Sequence, residues 1–328
     1  MFGIGSEIGP RGSQQAVIRV KGTKVAVFPH PNDGNVWLAT QPQPYGKHFY
    51  VDPYAANASD SNEGTSWGSP YKLIQSVHDT LVTSGQGDII HVKQAHPDAD
   101  ITENAIITKE ALTIVPAWET GIGMKVTWAP ATGCSLIVRA HSFKCAGFRF
   151  KSTTAVGAVV QSSDGFIYED CDFSCDHASG FGFRLLPITG SENTASQGII
   201  RSSTFRDNVG VALQAESVLS FGTTDNLFEN LRFYNNSGID IKSVVSAGQQ
   251  QVMLNSHIKD CQFLDKNKAV YINLSGGTSN TGLLSNLHFA HSNGATRLAN
   301  TQVVLATGVI ASGIYDAVGL VDASGFHP

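Results

Sequence analysis

The chain has 328 residues, of which only 15% are charged and 33 are glycine, a composition more typical of a β-rich protein with many turns than of a helical one. Its net charge is −5 and it has no run of Lys or Arg, which argues against a nucleic-acid-binding protein. No stretch has the apolar length of a signal peptide or a membrane-spanning helix. We therefore expect a protein that is made in the cytoplasm, is not exported by that route and is not inserted in a membrane.

The N-terminal region contains three short apolar runs, at residues 16–20, 24–28 and 35–40, separated by turn sequences. These runs predict a three-stranded meander. Because a meander of this size is only marginally stable by itself, we expect it to bury its apolar side chains against a partner surface. The Pro-containing linker that follows divides the chain into a domain at residues 1–46 and a second domain at residues 47–328.

A short amphipathic helix is predicted over about residues 69–84. Ser69 is a favourable N-cap, and Pro70 suits the first helical position. Apolar residues then recur at helical spacing until Gly85: Tyr71, Ile74, Val77 and Leu81. We expect this helix to cap an apolar interior.

An internal repeat begins at about residue 143. Each copy has an apolar residue, a small or apolar residue three positions later, and in most copies a Phe two positions after that. The copies recur at irregular intervals, which excludes most helical repeats and favours a solenoid that tolerates loop insertions. An Asn or Asp suited to a corner follows most copies: Asp176, Asn208, Asn236, Asn267 and Asn293.

The repeat predicts an all-β fold, a right-handed parallel β-helix whose coils lie about 4.8 Å apart. The Phe positions should stack as an inward aromatic ladder: Phe148, Phe173, Phe205, Phe233, Phe263 and Phe289. The positions two residues earlier should form a second inward ladder of mostly smaller groups: Ala146, Cys171, Ser203, Leu231, Cys261, Leu287 and Val318.

The repeat, together with the segment YVDPYAANASDSNEGTSWGSPYKLIQSV that leads into GDIIHV, resembles the pectin-lyase-like β-helix proteins. These are common among phage tailspikes and include some secreted carbohydrate-active enzymes. The resemblance covers roughly residues 47–325. It implies a virion protein of a tailed bacteriophage, of tailspike or tail-fibre type, that forms a homotrimer and binds host surface polysaccharide. Residues 1–46 would attach it to other virion proteins.

Two other functions remain open. One is a capsid decoration or tail adaptor protein that uses the β-helix as a rigid rod without glycan activity. The other is a polysaccharide lyase or hydrolase, a depolymerase, which would need carboxylates grouped on one outer face. Asp170, Glu229 and Asp260 are the candidate catalytic residues. Because the sequence shows neither a close pair of carboxylates in one column nor a basic residue beside one, we expect binding rather than strong catalysis.

Two tryptophans in the long excursion at residues 116–133, Trp118 and Trp128, are candidates for stacking on a sugar ring. Packing in the core or at an interface is the alternative for each. The sequence predicts no metal and no cofactor. The acidic loop around Asp60 departs from calcium-loop spacing, and the five cysteines lack a second zinc-like pair, so they predict buried free thiols.

Overall fold

The computed structural model describes the backbone of residues 16–20, 23–29, 37–39 and 319–321. It also describes residues 46–316 with their side chains, except for short segments at 94–99, 118–124, 189–193, 218–221, 246–252, 266–267, 277–280, 291–297, 299–301 and 306–308. The chain separates into two units, residues 1–46 and residues 47–328.

The first unit contains a three-stranded antiparallel sheet formed by β1 (Ala16–Val20), β2 (Thr23–Pro29) and β3 (Trp37–Ala39). Strand β2 lies in the centre and pairs with both neighbours. Val20 pairs directly with Thr23, so two residues connect the first two strands. The strands lie where the apolar runs of the sequence predict them.

The second unit is a stack of coils whose strands pair in parallel with the strands of neighbouring coils. One sheet of 17 strands contains β4 (His48–Val51), β5 (Ile89–Val92), β7 (Thr113–Pro116), β8 (Val126–Trp128), β10 (Lys144–Ala146), β11 (Phe148–Ser152), β13 (Ile167–Glu169), β14 (Asp172–Cys175), β16 (Ile199–Arg201), β17 (Thr204–Arg206), β19 (Leu227–Glu229), β20 (Arg232–Tyr234), β22 (Ser256–Lys259), β23 (Gln262–Phe263), β25 (Gly282–Phe289), β27 (Val309–Asp316) and β28 (Gly319–Val321). The pairing confirms the predicted parallel β-helix, and the pairing of β27 with β28 is antiparallel.

A second sheet of eight strands receives one strand from most coils: β6 (Ala105–Ile107), β9 (Leu136–Val138), β12 (Val159–Gln161), β15 (Phe181–Leu185), β18 (Val211–Ser217), β21 (Ile241–Val245), β24 (Ile272–Asn273) and β26 (Val303–Val304). A complete coil therefore supplies three strands, of which the last belongs to this sheet. The core lies inside the coils, between the sheets.

An aromatic ladder runs through this core, as predicted, but it begins one coil earlier and in a different register. Phe150, rather than Phe148, pairs with Phe173, and Trp128 pairs with Phe150. The phenyl rings from Phe150 to Phe289 stack with centroids 4.5 to 5.6 Å apart. Phe148 is also buried, but it takes a place in the second ladder.

The register error has a simple cause. Phe148 and Phe150 lie two residues apart, so both point to the same face of the strand, and alternation alone cannot choose between them. Ala146 was predicted to belong to the second ladder. It lies outside that ladder, because it pairs with Glu169. The following members of that ladder are buried as predicted: Cys171, Ser203, Leu231, Cys261 and Leu287. Val318 lies outside the described residues.

All five cysteines are buried free thiols, which confirms the prediction. Burial raises the pKa of the Cys134 thiol to about 11 and that of the Cys261 thiol to about 12. These thiols are therefore protonated at neutral pH, and they act as small apolar side chains in the core.

The predicted corner column forms at two of the positions that the structure describes. Asn208 and Asn236 are buried, and the Asn236 Oδ1 accepts hydrogen bonds from the Asn208 backbone N–H and Nδ2 at 3.0 and 2.9 Å. Asp176 is exposed instead. The other two predicted corner residues, Asn267 and Asn293, lie outside the described residues.

The helix α1 (Ile74–Thr80) is shorter than predicted. Its N-terminal flank is extended because Tyr71 forms a parallel bridge with Val51, so Ser69 and Pro70 precede a strand-like segment. Ile74 and Val77 are fully buried against the core, consistent with a capping helix. In the described part of the chain, no helix has the length and apolar character needed to cross a membrane.

Candidate functional site

The outer face of strands β11, β14, β17 and β20 carries several charged side chains, and Lys125 lies beside it just before β8. Arg149, Asp172, Thr204 and Arg232 follow one another in register along this face. Because side chains alternate between the two faces of a strand, their neighbours Phe150, Phe173, Phe205 and Phe233 point inward to the aromatic ladder. The ladder therefore fixes the positions of the outer side chains.

Asp172 lies at the centre of this face and contacts three cations. The Lys125 Nζ is 2.7 Å from its Oδ1, while the Arg149 Nε and the Arg206 Nη2 are each 3.3 Å from its Oδ2. The Asp172 side chain is only 10% exposed. Lys125 also contacts the exposed Asp170, at 3.1 Å. We call these five residues the Asp172 cluster.

Arg206 is held from both sides. Its Nη1 donates a hydrogen bond to the Tyr234 hydroxyl at 3.1 Å, and its Nη2 contacts Asp172. Burial lowers the pKa of Arg206, but the hydrogen bond to Tyr234 and the nearby charges of Asp172 and Asp207 outweigh burial, so the pKa is raised overall. Arg206 thus carries a permanent charge in a fixed orientation.

The face as a whole is cationic. Two further cations, Lys151 and Arg232, are exposed on β11 and β20. Together with the three cations of the Asp172 cluster they make five cations, against the carboxylates of Asp170, Asp172 and the nearby Asp207, although the protein as a whole has a net charge of −5. We call this surface, defined by Lys125, Arg149, Lys151, Arg206 and Arg232 around Asp172, the cationic face. A local excess of positive charge on an acidic protein attracts anionic ligands.

The structure brings one of the three candidate catalytic residues, Asp170, to the cationic face. The expectation that no basic residue lies beside a carboxylate is therefore wrong. Because Asp170 and Asp172 both contact the Lys125 ammonium, their Oδ1 atoms are at most 5.8 Å apart, the sum of the two contacts. Asp170 has a φ of +51° at the turn between β13 and β14, a conformation that Asp tolerates well.

The second candidate, Glu229, belongs to a neighbouring strip of the surface. Glu169, Arg201, Glu229 and Lys259 follow one another in register, so their charges alternate along the helix. The Lys259 Nζ is 2.6 Å from the Glu229 Oε1, and the Arg201 Nη2 is 3.0 Å from the Glu169 Oε2. Partly exposed pairs of this kind each contribute about 0–1 kcal/mol. The strip accounts for Glu229 as a structural residue.

The third candidate, Asp260, is a turn residue. Its φ is +56°, close to the φ of Asp170, Ser202 and Asn230 at the equivalent turns of other coils. The Asp260 Oδ1 accepts a hydrogen bond from the Asn286 Nδ2 of the next coil at 2.7 Å. Local turn chemistry therefore explains why an acidic residue stands at this position.

Trp128 does not lie on the surface, contrary to the expectation that it could stack on a sugar ring. It is fully buried as the first ring of the aromatic ladder, and its indole N–H donates a hydrogen bond to the Glu103 carbonyl at 2.7 Å. A buried tryptophan can offer no ring face to a ligand in solution. The alternative of core packing is the correct one. Trp118 lies outside the described residues.

Among the described residues, no three or more His, Cys, Asp or Glu side chains are grouped to hold a metal ion. Two carboxylates of the acidic loop accept hydrogen bonds from backbone N–H groups. The Asp52 Oδ1 accepts the backbone N–H groups of Tyr54 and Ala55, and the Asp60 Oδ1 accepts those of Lys72 and Leu73.

No family model matches this chain, and no curated protein matches it either. Among solved structures it is similar to the ORF18 protein of Geobacillus virus E2, with 12% identity, a TM-score of 0.51 and coverage of 92% of this chain. Its own strand pairing shows that the chain has a parallel β-helix fold. It spans 56% of the length of that viral protein.

Two other structures are similar over most of the chain. A rhamnogalacturonan lyase has 11% identity and a TM-score of 0.47, with 84% of this chain and 90% of that one covered. The tailspike protein gp49 of the Acinetobacter baumannii bacteriophage Fri1, a capsular polysaccharide depolymerase, has 10% identity and a TM-score of 0.37, with 95% and 69% covered. One fold hosts many functions, so the function must be argued from the site.

Proposed function

We propose that this protein is a tailspike-type virion protein that binds an acidic host surface polysaccharide on the cationic face. The observation that carries the proposal is the Asp172 cluster, in which one nearly buried carboxylate contacts three cations on the outer face of the sheet. The fold shared with a phage protein supports the virion assignment, as does the resemblance of the sequence to tailspikes.

The geometry of the cationic face suits a polymeric anion. Coils repeat about every 4.8 Å, so Arg232 lies about 9.6 Å from Asp172, two coils along the helix. Cations spread over this length can contact charges on successive sugar units. Charge-assisted hydrogen bonds from guanidinium groups to carboxylates are among the stronger polar contacts. Because Asp172 and Tyr234 already hold Arg206, little side-chain entropy is lost when a ligand binds.

Binding fits the arrangement better than cleavage. The two Asp172 oxygens are occupied by three cations, and the side chain is only 10% exposed, so it cannot readily approach a glycosidic oxygen. Asp170 is 68% exposed. A retaining glycoside hydrolase is the second candidate function. The Oδ1 atoms of Asp170 and Asp172 are at most 5.8 Å apart, and the two catalytic carboxyl groups of retaining enzymes are typically separated by roughly 5–5.5 Å.

The binding test uses a double substitution on the cationic face, Arg149→Gln with Arg206→Gln. Titration with an acidic capsular polysaccharide should show at least a tenfold weaker affinity for the variant, and wild-type affinity should fall as salt is added. Arg201→Gln is the matched control, because Arg201 is an exposed, ion-paired arginine on the neighbouring strip. Equal affinity of the double variant and the wild type would refute the proposed site.

The cleavage test follows the release of reducing ends or unsaturated products from the same polysaccharide. The wild type should release none above background. Rapid depolymerisation that is lost in Asp170→Asn or Asp172→Asn would instead establish the hydrolase. The same loss in Glu229→Gln or Asp260→Asn would place a catalytic site on the neighbouring strip or its turns.

A further inference from the structure

A second charged cluster lies inside the β-helix, between the coil of β21 and the coil of β24. The Asp240 side chain is fully buried and the Lys268 side chain is 7% exposed, and the Lys268 Nζ is 2.6 Å from the Asp240 Oδ1. The Asp265 Oδ2 is 3.4 Å from the same ammonium. The Tyr271 ring lies beside it, with the Nζ 6.0 Å from the ring centroid. The cationic face includes none of these residues.

We propose that Lys268 and Asp240 condense to form an intramolecular amide bond between Nζ and Cγ, which would join two consecutive coils covalently. The reacting groups are already in contact and held by the stacked coils. Such positioning replaces a reaction between two molecules by one within a single structure, and it corresponds to effective concentrations of about 10⁵ M or more. Burial also keeps out the bulk water that would hydrolyse the product.

The reaction balances without any external reagent. The neutral Lys268 amine attacks the carbon of the neutral Asp240 acid, so that an Nζ–Cγ bond forms. The Cγ–Oδ2 bond breaks, and Oδ2 leaves as one water molecule after it receives a proton that comes from the nitrogen. The neutral pair of reactants differs from the ion pair only in the position of one proton.

The surroundings of Asp240 favour its neutral, reactive form. Burial raises its pKa to about 7, against the opposing effect of the Lys268 ammonium. The buried Oδ2 has no hydrogen-bond partner among the described residues, as expected of an oxygen that leaves. The Asn236 Nδ2 donates a hydrogen bond to Oδ1 at 2.9 Å, where negative charge develops during the attack.

Asp265 is placed to move the proton. Its two oxygens accept the backbone N–H groups of Asn235 and Asn236, which hold the carboxylate in a fixed orientation. Because its Oδ2 is 3.4 Å from the Lys268 Nζ, it can take a proton from that nitrogen during the attack. The amide would also remove both charges from the interior, where an ion pair has a large desolvation cost.

The test is the mass of the denatured, full-length protein. The wild type should be lighter than its sequence mass by one water. Tandem mass spectrometry of a proteolytic digest should identify the peptide that contains Asp240 joined to the peptide that contains Lys268. Asp240→Asn should still react and be one ammonia lighter, because an amide is a competent acceptor. Asp265→Asn should react at least tenfold more slowly.

Two lysine variants serve as controls. Lys268→Met should have its full sequence mass. If Asp240 instead formed a cyclic imide with its own backbone, the Lys268→Met protein would still be one water lighter, and no joined peptide would be found. Lys259→Met should still lose one water, because its Lys268–Asp240 pair is intact. Lys259 is a matched control, since its Nζ is also 2.6 Å from a carboxylate, that of Glu229, but both side chains are about one third exposed and should not react. A wild-type protein that keeps its full mass after prolonged incubation at neutral pH would overturn the proposal.

Discussion

At the residue scale, the aromatic ladder shows most clearly how single side chains hold this fold. Phe233 is fully buried, and its ring stacks on Phe205 at 5.0 Å and on Phe263 at 4.8 Å. Stacked rings in the coil interior bury large apolar areas and add aromatic contacts. The outer side chains that alternate with these rings take no part in this stacking, so the face that they form is separate from the core.

Phe233→Ala should lower the free energy of unfolding by about 3–5 kcal/mol, because the truncation leaves a cavity between two rings that cannot close fully. Urea denaturation followed by fluorescence or circular dichroism measures the change. Leu264→Ala is the control, since Leu264 is 45% exposed and its truncation should change stability by about 0.5 kcal/mol or less. Equal effects of the two substitutions would contradict the ladder.

The site was less predictable than the ladder, for reasons that are also local. Asp170 was a candidate from the sequence, but Lys125, which contacts both Asp170 and Asp172, was not. Lys125 lies 47 positions before Asp172 in the chain. Only the stacking of coils brings them together. Trp128 precedes the first copy of the repeat, so the sequence pattern did not mark it as part of the ladder. Its place in the core could not be distinguished from a place on the surface.

At the scale of secondary structure, the strands were predictable from alternation and the helix bounds were not. The N-cap of α1, Leu73, makes no side-chain capping hydrogen bond. Instead the Glu103 Oε1 and Oε2 accept the N–H groups of Ile74 and Gln75, at 2.7 and 3.0 Å. A cap that comes from a distant part of the chain leaves no local signal, whereas Ser69 and Pro70 gave a misleading one.

The Glu103 cap predicts a specific dependence on pH. Burial raises the pKa of Glu103 from 4.5 to about 7, although the two backbone hydrogen bonds lower it. A carboxyl whose pKa is higher in the folded state stabilises the fold most at low pH, and this stabilisation is lost as the pH rises from about 4.5 through 7. Gln resembles the protonated acid and does not titrate.

The free energy of unfolding of Glu103→Gln, relative to the wild type, should therefore increase by roughly 3 kcal/mol between pH 4.5 and pH 8. Any constant difference from the lost hydrogen bond does not affect this change. Urea denaturation at several pH values measures it, with the exposed Glu110→Gln as a control. A difference that is constant with pH would show that folding does not raise the pKa of Glu103.

At the scale of the whole molecule, the proposed virion role requires assembly. We expect a homotrimer, so light scattering of the purified protein should give three times the monomer mass of 34.9 kDa. The resemblance to tailspikes and the small size of the three-stranded N-terminal sheet motivate this expectation. A stable monomer at micromolar concentration would count against it.

The N-terminal unit should carry the attachment to other virion proteins. Deletion of residues 1–46 should abolish incorporation into particles, while the circular dichroism and thermal unfolding of residues 47–328 remain those of a folded β-helix. Separation of purified particles from free protein, followed by immunoblotting, measures incorporation. Normal incorporation of the shortened protein would assign attachment to the β-helix instead.

The central claim is that the cationic face binds the glycan. An experimental structure of the full chain with an acidic oligosaccharide of a host capsule tests it most directly. Density for the sugar should lie along the outer face of β11, β14, β17 and β20, with a carboxylate within hydrogen-bond distance of Arg149 or Arg206. Ordered sugar on any other surface, with this face unoccupied, would contradict it.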